Sequence, residues 1–366
     1  MARLGDYVNI KTGKLDANAS SENGQYPFFT CSVEPLKIDT YSYDCECVLV
    51  AGNGDLNVKY YNGKFDAYQR TYIIESKHKT VLTVPYLYCF LDCYVEELRK
   101  QSIGGLIKYI KLGNLTEAQI PMRSIEEQNE IVASLDKVNA LISLRKQQLS
   151  KLDELVKSRF IELFGDPEYN EKQWAVLKLE TLCSVSSSKR IYQNELSAEG
   201  VPFLRISDLV NRMDTGSTEC ELYIPEERYE ELKVSGLVPV AGDMLLTARG
   251  TLGRCYTLTA SDKFYFQDGM ITWLYGFDKK LTTNYLTHLF SMSGFRKQID
   301  SLQAGSTVAY LSIAMTKKLD VMLPPIELQN HFATFVEQTD KSKLAIQQSL
   351  EKLEMLKKAL MQKYFG

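Results

Sequence analysis

The sequence has 366 residues, about twice the usual length of a single domain, so two domains or one large elaborated domain are expected. Hydrophobic residues make up 45% of the chain and charged residues 24%, which excludes a disordered, collagen-like or purely coiled-coil protein. The 43 basic and 46 acidic residues leave a formal net charge of −3. Binding to nucleic acid through a global positive field is therefore excluded, and such binding would need local patches.

The start of the chain, residues 1–6, lacks the apolar core of a signal peptide. The most apolar stretch, residues 81–95, is interrupted by Thr83, Pro85 and Asp92 before it reaches membrane-spanning length. We therefore expect a soluble protein of the cytoplasm that does not associate with membranes.

The eight cysteines are then expected to be free thiols. Cys45-x-Cys47 and Cys89-x3-Cys93 have spacings that occur in metal sites, but three scattered histidines do not complete a zinc pattern. We expect small buried hydrophobic residues here and no metal site.

Residues 1–123 are rich in Tyr, Val, Ile, Thr and Gly at turn-and-strand spacing, which predicts a mixed α/β domain dominated by strands. Residues 48–54 form a short apolar strand that ends in a Gly-containing turn. From that turn onward, amides, cations and aromatic rings suited to base edges or phosphates are interleaved. The candidate contacts are Asn53, Lys59, Tyr60, Lys64, Gln69 and Arg70. An ordinary surface loop is the alternative for any one of them, so the cluster carries more weight than its members.

Motifs for catalysis are absent or weak. No phosphate-binding G-x-x-x-x-G-K-[ST] segment, dinucleotide fingerprint or nucleophile elbow occurs, and Leu-Pro-Pro-Ile at 323–326 lacks the polar and aromatic residues of an amino-methyltransferase motif. Glu75-x-Lys77 after Asp66 matches a loose metal-nuclease spacing. So short a pattern recurs by chance, and solvated charges at strand edges are the favoured interpretation. We predict no catalytic residue in this chain.

Residues 124–165 predict one long helix. The helix opens with a capping box, Ser124-Ile125-Glu126-Glu127. Its apolar positions alternate steps of four and three, interrupted only by Arg145, which is a heptad seam. The seam consists of Ile131, Leu135, Val138, Ile142, Leu149, Leu152 and Val156.

Residues 166–323 predict a second mixed α/β domain, also dominated by strands. In it, residues 244–250 repeat the pattern of residues 48–54, an apolar strand followed by a Gly turn. The loop that follows, residues 249–254, carries two arginines between glycines, a flexible setting from which guanidinium groups reach guanine edges or phosphates. Phe266-Gln267 parallels Tyr68-Gln69 of the first domain. The candidate contacts of the second domain are Lys189, Arg190, Arg205, Arg249, Thr251, Arg254 and Gln267.

Residues 324–366 repeat the first helix without a gap. Ile125-Glu126-x-Gln128-Asn129 matches Ile326-Glu327-x-Gln329-Asn330, and Phe164-Gly165 matches Phe365-Gly366. Each helix would be about 60 Å long, too long to bury its apolar stripe on a small domain, so we expect the two copies to pack on each other. Two helices that oligomerise independently are the alternative. The residues expected to pair the helices or dock a partner are Leu135, Val138, Ile142, Leu149, Leu152, Val336, Ile346, Leu350 and Leu353.

The sequence thus predicts an α+β protein with a pseudo-two-fold, in which two similar mixed α/β domains are separated by two long helices packed as a coiled coil. The expected ranges are 1–123 and 166–323 for the domains and 124–165 and 324–366 for the helices.

Over essentially its whole length the chain resembles the specificity subunit of a type I restriction-modification system. The resemblance rests on the repeated I-E-x-Q-N helix starts and on residues 119–122, 242–250, 305–308 (Gly-Ser-Thr-Val) and 321–325. The first domain departs from the pattern, because Ile103-Gly104-Gly105-Leu106 replaces the Gly-Ser-Thr form and Ser124 stands where the second repeat has Pro325.

The resemblance implies two target-recognition domains that each read one half of a split sequence in double-stranded DNA, with spacer helices that set the gap between the halves. It also implies DNA methyltransferase (M) subunits, two in number, docked on those helices, and restriction/translocase (R) subunits in the full complex. S-adenosylmethionine, ATP and Mg would belong to the partners, so this chain would be non-catalytic and carry no cofactor. A protein-binding scaffold or adaptor with duplicated domains and no DNA role is the alternative.

Overall fold

The computed structural model describes residues 1–303 and 309–366, which form two compact units. Unit 1 comprises residues 1–148 and 345–366, and unit 2 comprises residues 149–344. Both units contain helices and strands, so the predicted α+β class with two mixed domains is confirmed. In the two described ranges, no helix combines the length and the apolar character needed to cross a membrane.

Within residues 1–123, unit 1 is built mainly on strands, as predicted. Its strands are β1 (Ala2–Arg3), β2 (Val8–Thr12), β3 (Tyr26–Phe29), β4 (Leu36–Ile38), β5 (Tyr43–Ala51), β6 (Val58–Ala67), β7 (Thr71–Ser76) and β8 (Gln119–Ile120). Its helices are α1 (Val84–Gln101), α2 (Leu112–Thr116) and the first part of α3 (Ile125–Phe164), with single 3-10 turns at Leu4–Asp6 and Ala17–Ala19.

Six strands of unit 1 form one sheet in the order β2-β7-β5-β6-β3-β4. Neighbouring strands are antiparallel except β3 and β6, which are parallel with Phe29 opposite Ala67. Because side chains alternate along a strand, Val48 of β5 lies in the same apolar cluster as α1, whereas Leu49 lies in a second cluster with Phe65. The sheet therefore has two buried faces around its central strands.

Helix α1 begins at Thr83, whose side chain accepts a hydrogen bond from the Tyr86 N–H, and Pro85 lies in its first turn. Its buried residues include Tyr86 and Phe90, each at most 2% exposed, whose rings pack on Phe365 of α9 (Ile326–Phe365). Burying a side chain of this size contributes roughly 1.5–3 kcal/mol to folding, so these residues hold α1 in the core of unit 1.

Unit 2 has more and shorter elements. Among the described residues of 166–323, helices hold more residues than strands, so the prediction that strands dominate this domain is wrong. Its strands are β9 (Ala175–Lys178), β10 (Ser184–Ser186), β11 (Val201–Leu204), β12 (Tyr223–Ile224), β13 (Met244–Thr247), β14 (Cys255–Thr257), β15 (Tyr265–Phe266), β16 (Ile271–Tyr275) and β17 (Asp320–Leu323). Its helices are the last part of α3, then α4 (Ile206–Thr215), α5 (Glu226–Val234), α6 (Thr283–Ser291), α7 (Ser293–Ser301), α8 (Ile313–Lys317) and the first part of α9 (Ile326–Phe365). Single 3-10 turns lie at Leu179–Thr181 and Gln193–Glu195.

The topology of unit 2 repeats that of unit 1 with one large difference. Strand β13 lies between β16 and β14, as β5 lies between β7 and β6, and β11 pairs with β15 in parallel, as β3 does with β6. Helices α6 and α7 follow β16 where α1 follows β7. After β11, however, unit 2 has the helices α4 and α5, whereas unit 1 has only β4 in that interval. The two copies match at Pro27-Phe28 of β3 and Pro202-Phe203 of β11, and this insertion accounts for their divergence after that point.

In unit 1, the first part of α3 and the last part of α9 lie side by side. Just before α3, the Arg123 guanidinium donates to the Tyr364 carbonyl near the end of α9 (3.3 Å). Further along α3, Lys146 forms an ion pair with Glu354 (N···O 3.3 Å). Rising numbers on α3 match falling numbers on α9, so the two segments are antiparallel within this unit.

Unit 2 has the same arrangement with the complementary helix parts. Asp153 of α3 forms an ion pair with Lys343 of α9 (2.7 Å), and further along α3 the Phe160 ring packs on Phe332 with centroids 5.5 Å apart. Lys343 lies in the heptad frame of Val336, Ile346 and Leu350, and this polar residue thus has a carboxylate partner on the neighbouring helix.

All nine residues predicted to pair the helices or dock a partner are at least half-buried. Leu135, Val138, Val336 and Leu350 are at most 7% exposed, and Ile142, Leu149, Leu152, Ile346 and Leu353 are half-buried. Leu135 belongs to the core of unit 1 and Val336 to the core of unit 2, so part of the seam packs on the domains as well.

The compact units divide the chain differently from the predicted ranges 1–123, 124–165, 166–323 and 324–366. The helices lie close to their predicted bounds, but each contributes one part to each unit. The physical reason in unit 1 is that Phe365, at the end of α9, is buried against Tyr86 of the first domain with ring centroids 5.3 Å apart.

Candidate nucleic-acid interface

In unit 1, the turn after β5 is held by strand partners on both sides. Asn53 forms an isolated antiparallel bridge with Tyr109. The residue before it, Gly52, donates its N–H to the Arg70 carbonyl (2.8 Å) and accepts from the Ile110 N–H (2.9 Å). Asn53 is therefore placed by backbone contacts to two separate segments, while its own side chain is half-buried.

In unit 2, the turn after β13 is held in the same way. Arg249 forms an isolated antiparallel bridge with Tyr310. The preceding Ala248 donates its N–H to the Met270 carbonyl (2.9 Å) and accepts from the Leu311 N–H (2.9 Å). The Arg249 side chain is exposed, and its guanidinium lies over the Tyr310 ring, 5.2 Å from the centroid, which is a cation–π contact.

Each of these two residues is followed by a glycine in the left-handed region. Gly54 and Gly250 both have φ of 70°, a conformation that side chains with a Cβ rarely adopt. Asn53 and Arg249 thus occupy the same position of the same turn in the two units. The sequence match of residues 48–54 with residues 244–250 is borne out by the backbone contacts.

Two of the other predicted arginines of unit 2 have acidic partners in their own unit. Arg190 pairs with Asp268 (Nε···Oδ2 2.9 Å), and Arg254 pairs with Asp214 (Nη1···Oδ2 3.2 Å). The hydrogen bond to Asp214 raises the pKa of Arg254. Either guanidinium would have to leave a carboxylate before it could contact DNA.

Arg205 is engaged still more fully, since it caps α4. Its guanidinium donates to both carboxylate oxygens of Asp208 (3.0 and 3.2 Å) and to Glu221 (2.9 Å), which raises its pKa. The sequence suggested a loop cation, but the side chain serves the start of a helix that unit 1 lacks.

The remaining candidates of unit 2 have fewer contacts. Lys189 is exposed and is positioned by its backbone N–H, which donates to the Tyr265 hydroxyl (2.8 Å). Thr251 is exposed, and its carbonyl accepts from the Thr247 hydroxyl (2.6 Å), which closes the 249–254 loop. Gln267 is half-buried at the end of β15.

In unit 1, Lys59 and Tyr60 are not brought together. They are successive residues of β6 and therefore point to opposite faces of the sheet. Lys59 donates to the Asn57 side chain, and burial lowers its pKa. The Tyr60 hydroxyl donates to Glu46 (2.8 Å), and burial together with this hydrogen bond raises the pKa of Tyr60 to about 12. The two side chains therefore lie on opposite faces of the sheet.

Of the other three candidates of unit 1, Lys64 lies within β6, and Gln69 and Arg70 lie beyond its end. Lys64 is exposed, with its ammonium 4.7 Å from the centroid of the Tyr41 ring. Gln69 and Arg70 are exposed in the turn between β6 and β7. The backbone bond between Arg70 and the residue before Asn53 places Arg70 beside the Asn53 turn.

The predicted match of Gln69 with Gln267 is wrong by one position. Phe29 and Leu204 are equivalent residues of the parallel strands, and their carbonyls accept from Tyr68 and Gln267 respectively (both 2.9 Å). Gln267 therefore corresponds to Tyr68, because the turn after this strand differs in length between the units.

Two buried glutamines, Gln128 and Gln329, join each long helix to its domain, a role that was not predicted from the sequence. Gln128, in the first turn of α3, is fully buried. Its Oε1 accepts from the Thr83 N–H (2.9 Å) and hydroxyl (3.2 Å), and its Nε2 donates to the carbonyls of Val81 (2.7 Å) and Arg123 (3.0 Å). One side chain thus joins the start of the long helix to the start of α1.

Gln329 repeats this junction in unit 2. It is fully buried, its Oε1 accepts from the Thr282 N–H (2.9 Å) and hydroxyl (3.2 Å), and its Nε2 donates to the carbonyls of Lys280 and Pro324 (both 2.8 Å). The repeated I-E-x-Q-N motif was the sequence signal that could have identified this junction. Its glutamine fixes the helix to the domain.

The residues of the weak nuclease spacing are engaged separately. Asp66 is 1% exposed and accepts from the Ser42 hydroxyl (2.7 Å), Glu75 pairs with Lys11 (3.0 Å), and Lys77 donates to the carbonyls of residues 5 and 6 (both 3.0 Å). Within residues 1–303 and 309–366, no group of three His, Cys, Asp or Glu side chains is arranged to hold a metal ion.

All eight cysteines are free. Cys47, Cys89 and Cys183 are buried, as expected for small hydrophobic residues, whereas the other five are half-buried. Burial raises the pKa of Cys89 and Cys183 to about 12, so these thiols stay protonated and unreactive at neutral pH.

In the first domain, Ile103-Gly104-Gly105-Leu106 replaces the Gly-Ser-Thr form of residues 305–308. Residues 305–308 lie outside the described residues. In unit 1, Ile103 and Tyr109 exchange two backbone hydrogen bonds (3.0 and 2.8 Å) that close the loop containing Gly104 and Gly105, and Leu106 at its tip is fully exposed.

The geometry defines a protein with two similar domains, each presenting an equivalent turn and each hydrogen-bonded to a long helix through a buried glutamine. The family model of the type I restriction modification DNA specificity domain matches residues 1–154 and 171–355. The chain belongs to this family, the specificity subunits of type I restriction-modification systems.

Individual relatives agree with the family. The type I restriction enzyme EcoDI specificity subunit of Escherichia coli is 38% identical over 154 residues, which cover 42% of this chain but only 34% of that protein. The type I restriction enzyme MjaVIII specificity subunit of Methanocaldococcus jannaschii is 22% identical over 394 residues, covering 99% of this chain and 90% of that protein.

Among solved structures, the S subunit of a type I restriction-modification system from M. genitalium has a similar fold. The TM-score is 0.62 at 16% sequence identity, and the match covers 100% of this chain and 95% of that one. A chain from a structure concerned with assembly of the type I R-M system matches with a TM-score of 0.58, also at 16% identity, over 100% of this chain and 96% of that chain. At this identity the likeness establishes the fold.

Proposed function

We propose that this chain is the DNA-binding specificity subunit of a type I restriction-modification complex, in which each domain reads one half of a bipartite sequence in double-stranded DNA. The observation that carries the proposal is the repetition of the same backbone-held turn, at Asn53 and at Arg249, in two domains of a DNA specificity family. Two domains of the same fold that carry different side chains at the equivalent turn are suited to a target whose two halves differ in sequence.

The net charge of −3 is compatible with this role because recognition needs only local cations. In unit 2, Arg249 and Lys189 are exposed, and neither forms an ion pair with the described residues, in contrast to Arg190, Arg205 and Arg254. These two side chains are the favoured contacts. In unit 1, the corresponding set is Asn53 with its neighbour Arg70.

The long helices set the spacer and dock the modification subunits in this proposal. Each helix has 40 residues and therefore a length of about 60 Å, enough for half-sites separated by several base pairs. Apolar side chains off the seam stay accessible to a partner, including Leu144 (54% exposed), Leu344 (61%) and Met355 (63%). A partner subunit that covered these side chains would remove their apolar surface from water, which supports a docking role.

The chain itself is proposed to be non-catalytic. M subunits, two in number, would bring S-adenosylmethionine, and R subunits would bring the ATP- and Mg-dependent steps, since this sequence contains no motif for those reactions. The complex would act in the cytoplasm, where the DNA is.

The test is to map methylated sequences in cells that carry the complete system, with and without this chain. We expect modification of one bipartite sequence that disappears when the chain is removed. Purified full-length chain should also bind duplex DNA with an affinity that falls as salt rises. Unchanged methylation together with no salt-dependent DNA binding would refute the proposal and favour a protein scaffold.

A further inference from the structure

We infer that residues 53 and 249 are the same base-reading position in the two domains, and that Asn53 selects adenine whereas Arg249 selects guanine. The inference deepens the proposed function and rests on it. It assigns one position within each half-site to one named side chain.

The first step is that the backbone at this position is the same in both units. In both units the residue before this position donates its N–H to a carbonyl just after a strand, β6 in unit 1 and β15 in unit 2. Its carbonyl accepts from a residue just before a short helix, α2 in unit 1 and α8 in unit 2. The residue after this position is in both units a glycine with φ of 70°. A fixed backbone with a variable side chain is what a position needs if it is to specify different bases in two copies of one fold.

The second step is that the side chains are available. Neither Asn53 nor Arg249 makes a side-chain hydrogen bond or ion pair with residues 1–303 or 309–366, whereas Arg254, in the same loop as Arg249, is bound to Asp214. The Tyr310 ring under the Arg249 guanidinium limits the orientations of that side chain, so less conformational freedom is lost when it binds a base.

The third step is the chemistry of the two side chains. A carboxamide has one acceptor and one donor pointing the same way, which matches N6 and N7 of adenine in the major groove. A guanidinium presents two parallel N–H groups, which match O6 and N7 of guanine. A well-formed contact of either kind favours its base by about 5- to 150-fold.

The experiment exchanges the two side chains in the full-length chain, as Asn53→Arg and Arg249→Asn. Each variant, alone and with the modification subunits of its own system, selects duplexes from a random-sequence library. We expect wild type to enrich a bipartite sequence. Asn53→Arg should replace one adenine of the first half by guanine and leave the second half unchanged, and Arg249→Asn should replace one guanine of the second half by adenine.

Alanine variants at both positions serve where an exchange disturbs folding. Asn53→Ala and Arg249→Ala should lose base preference at the same single positions by about 5-fold or more. Asn18→Arg, which adds the same charge at an exposed site of unit 1, is the matched control and should leave both half-sites unchanged.

The outcomes separate the inference from the proposed function. If wild type enriches a bipartite sequence and the folded variants enrich the same bases, the inference is wrong and the proposed function stands. If the variants bind all sequences more weakly and with a smaller salt dependence, the side chains contact phosphates, which also overturns the inference. If wild type enriches nothing in either form, the proposed function itself fails.

Discussion

Replacing Gln329 by leucine tests whether the buried glutamine is what fixes the second domain to its helix. The change removes four hydrogen bonds at the start of α9, two to Thr282 and two to the carbonyls of Lys280 and Pro324. Each net contribution is about 0.5–1.5 kcal/mol, and partners left buried without a bond add to the loss. We expect the free energy of unfolding of unit 2 to fall by about 2–5 kcal/mol.

The assay uses the position of the tryptophans. Both tryptophans of the chain, Trp174 and Trp273, lie in unit 2, so their fluorescence reports the unfolding of that unit. With a urea dependence of about 1–3 kcal/mol per M, the midpoint of the Gln329→Leu transition should fall by about 1–2 M. Gln128→Leu, at the equivalent junction of unit 1, should move this fluorescence transition less.

Gln338→Leu is the matched control, because it makes the same replacement at an exposed position of the same helix within unit 2. A surface change of this kind is expected to alter stability by less than about 0.5 kcal/mol. If Gln329→Leu shifts the midpoint no more than Gln338→Leu does, the hydrogen bonds of the junction do not hold the helix to the domain, and the reasoning fails.

Three further predictions concern other parts of the chain. Burial lowers the pKa of His288 from 6.5 to about 4, so between these pH values the unfolded chain binds a proton that the folded chain does not. Stability should therefore fall as the pH drops through this window, by about 2 kcal/mol at pH 5, and urea midpoints of His288→Leu should lack this component. Arg254→Ala and Asp214→Ala should show a coupling energy of only about 0.2–1 kcal/mol in a double-mutant cycle of unfolding, because the pair is partly exposed; a value several times larger would contradict this assignment. Removing one heptad from both helices, within residues 147–155 and 348–356, should keep both half-sites and shorten the spacer by about three base pairs in methylation maps, whereas an unchanged spacer in an active complex would mean that the helices are not the ruler.

Local sequence pattern was sufficient for several features of this fold. The capping box and the heptad spacing predicted α3 from residue 124, and the helix begins at Ile125. The apolar strand and glycine turn at residues 48–54 and 244–250 predicted two equivalent turns, which the backbone contacts bear out. These features depend on neighbouring residues and on backbone conformation, both of which the sequence records directly.

Features that depend on distant partners were not predictable in the same way. Arg205 looked like a free loop cation. Asp208, three residues further on, was visible in the sequence, but Glu221 is brought to the guanidinium by the fold. Gln128 was visible as part of a repeated motif, yet its bonds to residues 81 and 83 cross between two elements. The separation of Lys59 from Tyr60, by contrast, follows from the two-residue period of a strand and could have been read from the sequence.

The burial of Phe365 in unit 1 has a consequence for the order in which the protein can mature during its synthesis. Unit 2 is one continuous stretch of chain, residues 149–344, whereas the core of unit 1 needs Phe365 as well as Tyr86. Phe365 leaves the ribosome only after the whole of unit 2 has been translated. The domain that is synthesised first is therefore completed last. Until α9 is synthesised, this domain exposes the apolar side chains that Phe365 covers. A chaperone or an early-binding partner would protect the chain from aggregation most during this period.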